Sequence, residues 1–373
     1  MTKSFFNVAC FQLNSSPNVS ENIEQIKTLF KKISKKKIDL VCLPECAGVF
    51  SDSEKIIREF CDGPKKEKFL TFLSDYAKSY DLFVILGSIP VKANKEKFYN
   101  RSFVINNYGK LISFYDKIHL FDVNLKKNEN YRESKLYKAG KKIKISPLPW
   151  GRIGLTICYD VRFPNLYRKL AQKKTKFVSI PAAFTKTTGK LHWHCLIKAR
   201  AIESGSFVFA PAQCGIHKNG RETFGHSMIV NPWGEVLAEA DGNSVSCITS
   251  KIDTNLVDDV REKKLVKPVA LTLLPQEIKM IENSTKRKEF FIQIVLPLIL
   301  KENSNIKIDR KRLFGIINKN NNTDLEKKWL EKKYKQYGVT SKDLSILKIR
   351  MDEIPVSLAI AQAAKETGWG TSR

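Results

Sequence analysis

The sequence predicts an α/β fold, with helices layered outside sheet, over residues 1–265, followed by a smaller all-α segment over 266–373. Three observations predict it. Up to about residue 260, short apolar runs alternate with amphipathic helical patterns. The runs are almost continuously apolar, as strands covered on both faces are. Beyond about residue 265 there is no cysteine and no strand-like run, and helical spacing takes over.

Taken in order, strands are expected at 5–13, 38–43, 82–89, 102–107, 153–158, 177–181 and 207–212. Helices are expected at 20–35, 66–80, 165–173 and 190–203, where apolar residues recur every three or four positions. Asn107-Tyr108-Gly109 and Pro232-Trp233-Gly234 read as hairpin connections. In the second segment the pattern predicts helices at 275–282, 287–303, 325–337, 344–350 and 354–366, with a polar loop at 318–324. Asp352 followed by Pro355 starts the last of these, and Gly368 stops it. Its PVSLAIAQAAKE sequence is apolar on nearly every side and predicts a buried helix.

Bulk properties narrow the function. At 373 residues the chain has room for two domains, and 42% apolar residues is ordinary for a globular protein. The formal charge of +27 is not ordinary. The lysines are nevertheless spread along the chain in pairs and triplets, as in KKISKKK (31–37), without an aromatic-interleaved basic strip, zinc-finger spacing or RNA-binding signature. No nucleic-acid partner is therefore expected. The eight cysteines all lie before residue 248 and form no CxxC, which reads as reduced, mostly buried thiols. The first residues enter a strand at once, so no signal peptide is expected. The longest apolar stretch, 290–300, is broken by Gln293 and Pro297 and is too short for a bilayer. The expectation is a cytoplasmic protein with no membrane partner, metal or cofactor.

Candidate chemistry sits in three stretches: LPECAGVF (43–50), FYDKIHLFD (114–122) and GLTICYDVRFP (154–164). Each places one reactive side chain, Glu45, Lys117 or Cys158, at or just past the end of an apolar run. Cys158 falls on a strand-to-helix turn, where a nucleophile is exposed and backbone N–H groups beside it bind an oxyanion. As one cysteine of eight, it also fits a structural role. A thiol needs a base. The five histidines are one source, and Glu45, whose setting predicts a raised pKa, is another. Lys117 offers positive charge for an oxyanion, but spacing alone does not single it out among so many lysines.

Together these stretches resemble the Glu-Lys-Cys motifs of the nitrilase (carbon–nitrogen hydrolase) superfamily, over about residues 5–261. AFTKTTGKLHW (183–193), KARAIESG (198–205), AQCG (212–215) and FGHSMIVNPWGEV (224–236) resemble its Nit branch, amidases acting on ω-amides of α-keto acids, with AFT and AQCG closest to the deaminated-glutathione type. The resemblance implies a four-layer αββα sandwich, a homodimer and a small amide substrate that releases ammonia. It implies Glu45 as base, Cys158 as nucleophile forming a thioester, and Lys117 with the Tyr159 backbone N–H as oxyanion holders. Glu133 falls where the superfamily carries a second glutamate, and a structural ion pair would suit it equally. Arg162 and Thr185 are candidates for a substrate carboxylate or keto oxygen, although Arg162 also suits a fold-holding role. Arg200 and Glu203, one helical turn apart, read as a structural pair.

The second segment is similar to bacterial glucosaminidases of lysozyme-like fold through EFFIQIVLPLILKEN (289–303) and VSLAIAQAAKETGWGTSR (356–373). There Glu366 matches the general acid. The sequence ends seven residues later, without a second carboxylate, so an incomplete and inactive domain is expected, with peptidoglycan cleavage as the alternative function.

Overall fold

A computed structural model of the chain describes residues 4–124, 130–264, 281–319 and 321–352, together with 359, 362 and 363. It divides into two compact units, Met1–Lys264 and Leu265–Arg373.

The first unit holds two six-stranded sheets. In spatial order, one contains Ser246–Asp253, Phe5–Gln12, Leu40–Cys42, Phe83–Lys92, Phe98–Ile105 and Leu111–Asp116. The other contains Val236–Glu239, Met228–Val230, Phe207–Ala210, Phe177–Ser179, Gly151–Leu155 and Lys144–Leu148. In each sheet the three strands joined by helical crossovers run parallel, and the outer strands are antiparallel.

Side-chain alternation builds the layers. Along Phe5–Gln12, Phe6, Val8 and Cys10 pack with Ile153, Leu155, Phe177 and Phe209 of the second sheet. Ala9 and Phe11 turn the other way, onto Ile26, Leu29 and Phe30 of helix Val19–Ile33 and Phe69 and Leu73 of helix Pro64–Ser79. Beyond the second sheet lie Leu166 and Leu170 of helix Pro164–Gln172 and Trp193 and Ile197 of helix Lys186–Ser204. Burial of both faces explains the near-continuous apolar runs. The result is the αββα sandwich that the resemblance implied.

The expected strands and helices of this unit are present, with shifted ends. The expected turns carry left-handed glycines, Gly109 at φ +75° and Gly234 at φ +85°. Helix Glu54–Asp62 and strand Ser246–Asp253 were not expected. That strand is half-buried along most of its length and has no sharp pattern, yet it pairs with the whole of Phe5–Gln12.

In the second unit, helices Ser284–Ile317, Asp324–Gln336 and Leu344–Arg350 share a core of Ile306, Leu313, Ile316, Leu330, Tyr334, Val339, Leu347 and Met351. The first of these runs through Pro297 and past the expected end at 303, because Ile306, Leu313 and Ile316 are buried in that core. Tertiary packing outweighs the weak local signal of its Asn- and Lys-rich middle. The expected helix at 354–366, Glu366 included, and residues 275–280 lie outside the described residues, apart from 359, 362 and 363. No described helix is long and apolar enough to cross a membrane.

Candidate active site

Glu45, Lys117 and Cys158 each follow the C-terminal end of a strand, the edge where α/β sheets build sites. The Leu43-Pro44 segment before Glu45 passes so close to Gly87 that a Cβ there would stand 2.1 Å from the Leu43 carbonyl oxygen. Only glycine fits. Cys46, next in the chain, is held at φ +58°, with its N–H on Ser88 Oγ at 3.0 Å.

The strand before Cys158 ends at Leu155, earlier than expected, and Cys158 opens a single 3₁₀ turn, Cys158–Arg162. Its φ of +45° is rare for a residue with a Cβ and marks local strain held by the surroundings. The Cys158 N–H donates to Pro181 O at 2.8 Å. Asp160, fully buried, ties this turn to the Lys117 segment. Its Oδ2 accepts from Ile157 N (2.9 Å) and Tyr115 Oη (2.8 Å), and its Oδ1 from His119 N (3.0 Å) and lies 2.7 Å from His119 Nδ1.

The side chains form one buried polar cluster. Lys117 Nζ donates to Glu45 Oε1 at 2.9 Å and to Glu133 Oε2 and Oε1 at 2.8 and 3.1 Å. An ammonium has three N–H groups; with the two Glu133 oxygens sharing one of them and Glu45 taking another, the third is left for a ligand. Asn100 bridges both carboxylates, reaching Glu45 Oε1 at 2.9 Å and Glu133 Oε1 at 3.0 Å. Glu133 Oε2 also accepts from Phe121 N at 2.7 Å. The second Glu45 oxygen, Oε2, takes the Ala183 N–H at 2.8 Å and has capacity left for the neighbouring thiol. Gln213 fixes the backbone beneath, donating to Glu45 O at 2.8 Å. The AFT and AQCG stretches thus each contribute one hydrogen bond to Glu45.

Electrostatics follow from this packing. Burial alone would raise the Glu45 pKa, but the charge and hydrogen bond of Lys117, helped by the Cys158 thiol and Arg221, hold it below the usual carboxylate value. This corrects the raised value that an apolar strand end suggested: the sequence did not show the ammonium 2.9 Å away. Burial would discharge Lys117, yet Glu133 and Glu45 push its pKa well above the ordinary lysine value. Burial, then the Glu45 charge, push the Cys158 thiol well up. The resting site therefore holds a carboxylate, an ammonium and a neutral thiol.

These groups open on a cavity of about 370 Å³. It is lined by Glu45, Lys117, Cys158 and Glu133, by Phe121, Tyr131 and Phe184, and by Arg221. Tyr159 also lines it, and its backbone N–H meets no acceptor among the described residues. Thr185 lines it too, but its Oγ1 is engaged as the cap of helix Lys186–Ser204, 2.8 Å from Thr188 Oγ1. Arg162 is not in the lining. Its guanidinium lies beside the Tyr159 and Phe184 rings, and Nη2 is 3.2 Å from His192 Nδ1. Arg200 does pair with Glu203, at 2.5 Å, as expected of one helical turn. Outside the cavity, His194 and His226 both meet Glu239 Oε1 at 2.8 Å, so these three potential ligands satisfy one another.

Sequence reasoning missed Asn100, Asp160, Gln213 and Arg221. Asp160 directly follows the Tyr159 it did single out, and Gln213 lies inside AQCG. Asn100 and Arg221 carried no local signal, because their partners are distant in the chain.

A thiol, a carboxylate and an ammonium are gathered at the strand ends of a two-sheet α/β sandwich, a set whose chemistry suits attack on an amide. Residues 7–262 match the carbon-nitrogen hydrolase family model, and the chain belongs to that family. It is an amide carbon–nitrogen hydrolase of the nitrilase superfamily. Among its relatives, a deaminated glutathione amidase of Yersinia enterocolitica is 35% identical over 263 residues, covering 69% of this chain and 90% of that one. A deaminated glutathione amidase of Synechocystis is 37% identical over 262 residues, covering 68% and 94%. Among solved structures, the Caenorhabditis elegans NitFhit protein aligns with a TM-score of 0.68 at 31% identity, over 73% of this chain and 66% of that one. Saccharomyces cerevisiae Nit3, a member of branch 10 of the nitrilase superfamily, aligns at 0.62 and 29%, over 73% and 96%.

Proposed function

We propose that the first unit hydrolyses a small amide of a keto acid, of the deaminated-glutathione type, through a thioester on Cys158. The observation that carries this is the Lys117 ammonium, held between Glu45 and Glu133 at 2.9 and 2.8 Å beside a neutral buried thiol. Glu45 takes the Cys158 proton as sulfur attacks the carbonyl carbon. The third N–H of Lys117 and the Tyr159 N–H hold the oxyanion. Glu45 then gives its proton to the leaving nitrogen, the C–N bond breaks, and a thioester remains. Water, deprotonated by Glu45, attacks that thioester, and the collapse returns the acid product and the Cys158 thiol. Glu133 acts through Lys117, fixing its direction.

For this substrate type the expected release of ammonia needs correction. The γ-linked amide nitrogen of deaminated glutathione belongs to a cysteinylglycine, so the amine released is that dipeptide. Ammonia leaves only from a primary amide. Replacing Cys158 by Ala removes amine release from both kinds of amide, and retained turnover would overturn the assignment.

A homodimer working in the cytoplasm is part of the same proposal and rests on the resemblance to the superfamily. Light scattering of the purified chain tests the first, and cell fractionation the second. The division of labour between 1–265 and a lysozyme-like 266–373 is likewise a proposal. Its glycosidase alternative rests on Glu366, and clearing of peptidoglycan by the intact chain, stopped by Glu366→Gln, would establish it.

A further inference from the structure

We propose that Arg221 anchors a carboxylate on the acyl part of the substrate, which makes this an amidase selective for anionic amides. The inference deepens the amidase reading above and rests on it for the position of the scissile bond.

Arg221 precedes the short strand Glu222–Phe224 and lines the same cavity as Glu45, Lys117 and Cys158. Its guanidinium carbon stands 5.3 Å from the Phe50 ring centroid and 5.0 Å from that of Tyr131. Phe50 is itself stacked on His217, with centroids 3.9 Å apart, so the platform is firm. Nη2 donates to Ala183 O at 2.8 Å, while Nε is buried and meets no acceptor. Among the described residues no carboxylate forms an ion pair with this cation; the adjacent Glu222 pairs with Lys186 instead, at 2.5 Å.

A guanidinium has five N–H donors and forms paired bonds to carboxylates. A partly buried one with a single neutral acceptor is an incomplete interaction, since a buried charge is stable only when paired. A substrate carboxylate completes it. The placement also suits chemistry. Ala183 accepts from Arg221 through its carbonyl and donates through its N–H to Glu45 Oε2, so the anion anchor and the base share one residue. The other cations of the lining do not compete. Lys117 is held by Glu45 and Glu133, and Arg132 and Lys135 are exposed.

Calorimetric titration of the intact protein with glutarate, a five-carbon dicarboxylate that stands for the acid product, tests this without requiring turnover. Arg221→Met raises the Kd by about tenfold or more, the loss of a charge-assisted bond pair. Arg221→Lys, which keeps charge but not the fork, recovers part of it, and Arg162→Met changes it by less than about twofold. With an amide substrate, the Arg221→Met loss falls mainly on KM. Unchanged glutarate binding in a folded Arg221→Met protein, no binding by wild type, or transfer of the loss to Arg162→Met would each overturn the proposal. Failure of the amidase reading looks different: glutarate binds, yet no amine is released.

Discussion

The two units bury different things. In the first, Lys117 and Glu45 are 2% and 4% exposed, with Asn100 and Glu133 bonded to them and Asp160 buried against Tyr115 and His119. Among the described residues of the second, the buried groups are apolar apart from Asn303 and Lys333, and the charged pairs Lys342–Glu331 and Lys327–Asp324 stand at the surface. The most buried ion pair among its described residues, Lys333–Asp309, keeps side chains 11% and 20% exposed. Burying ionised groups costs several kcal/mol each and seldom adds stability over an apolar core. A fold retains such a cluster where chemistry requires it, which supports placing the proposed reaction in the first unit.

The comparison breaks most directly through its largest effect. Replacing Glu45 by Gln removes the base and should lower kcat by about 10²–10⁴-fold in an amine-release assay. Lys117→Met comes next, losing about 10²–10³-fold in kcat with the oxyanion donor. It also leaves two carboxylates buried without their cation, at a cost of about 3–5 kcal/mol readable in a denaturant melt. Asp160→Asn, which loosens the tie between the Cys158 turn and the Lys117 segment, should cost about 10²-fold in kcat with little change in KM. In the second unit, Leu347→Ala should destabilise that unit by about 2–4 kcal/mol while amide turnover stays within about twofold. Loss of turnover there would erase the contrast.

The pH profile sharpens the comparison within the site. Glu45 is held below the ordinary carboxylate value, so turnover is constant from neutrality downward and is lost only as pH falls through that lowered value. The stability contributed by the Glu45–Lys117 pair has the same sign: present above the unfolded carboxylate pKa, lost as pH falls through the folded one. Lys117 and Cys158 are both raised, which keeps the alkaline limb away from neutral pH. Removing the Lys117 charge lets burial raise Glu45, so the residual activity of Lys117→Met should show its acid limb at higher pH.

Much of this architecture was legible because the strands are buried on both faces, and continuous apolar runs announce that. Cys158 and Glu45 were legible for the same reason, as reactive groups interrupting apolar text. Lys117 was not separable from its many fellow lysines until the motif flanks were read. Asn100 and Arg221 stayed hidden because their meaning is a contact, Asn100 across 55 residues of chain to Glu45 and Arg221 across 38 to Ala183. Pattern reading also misplaced the end of the Ser284–Ile317 helix, whose polar middle looks like a stop until Ile306 and Leu313 are seen to be buried.

The central claim is that Cys158 carries the acyl group. Intact-mass and peptide mass spectrometry of the wild-type chain, acid-quenched during turnover of an amide substrate, tests this in one measurement. The account predicts an acyl adduct on the peptide containing Cys158, labile to hydroxylamine and missing in Cys158→Ala. An adduct on another residue, or full turnover by Cys158→Ala, would contradict it.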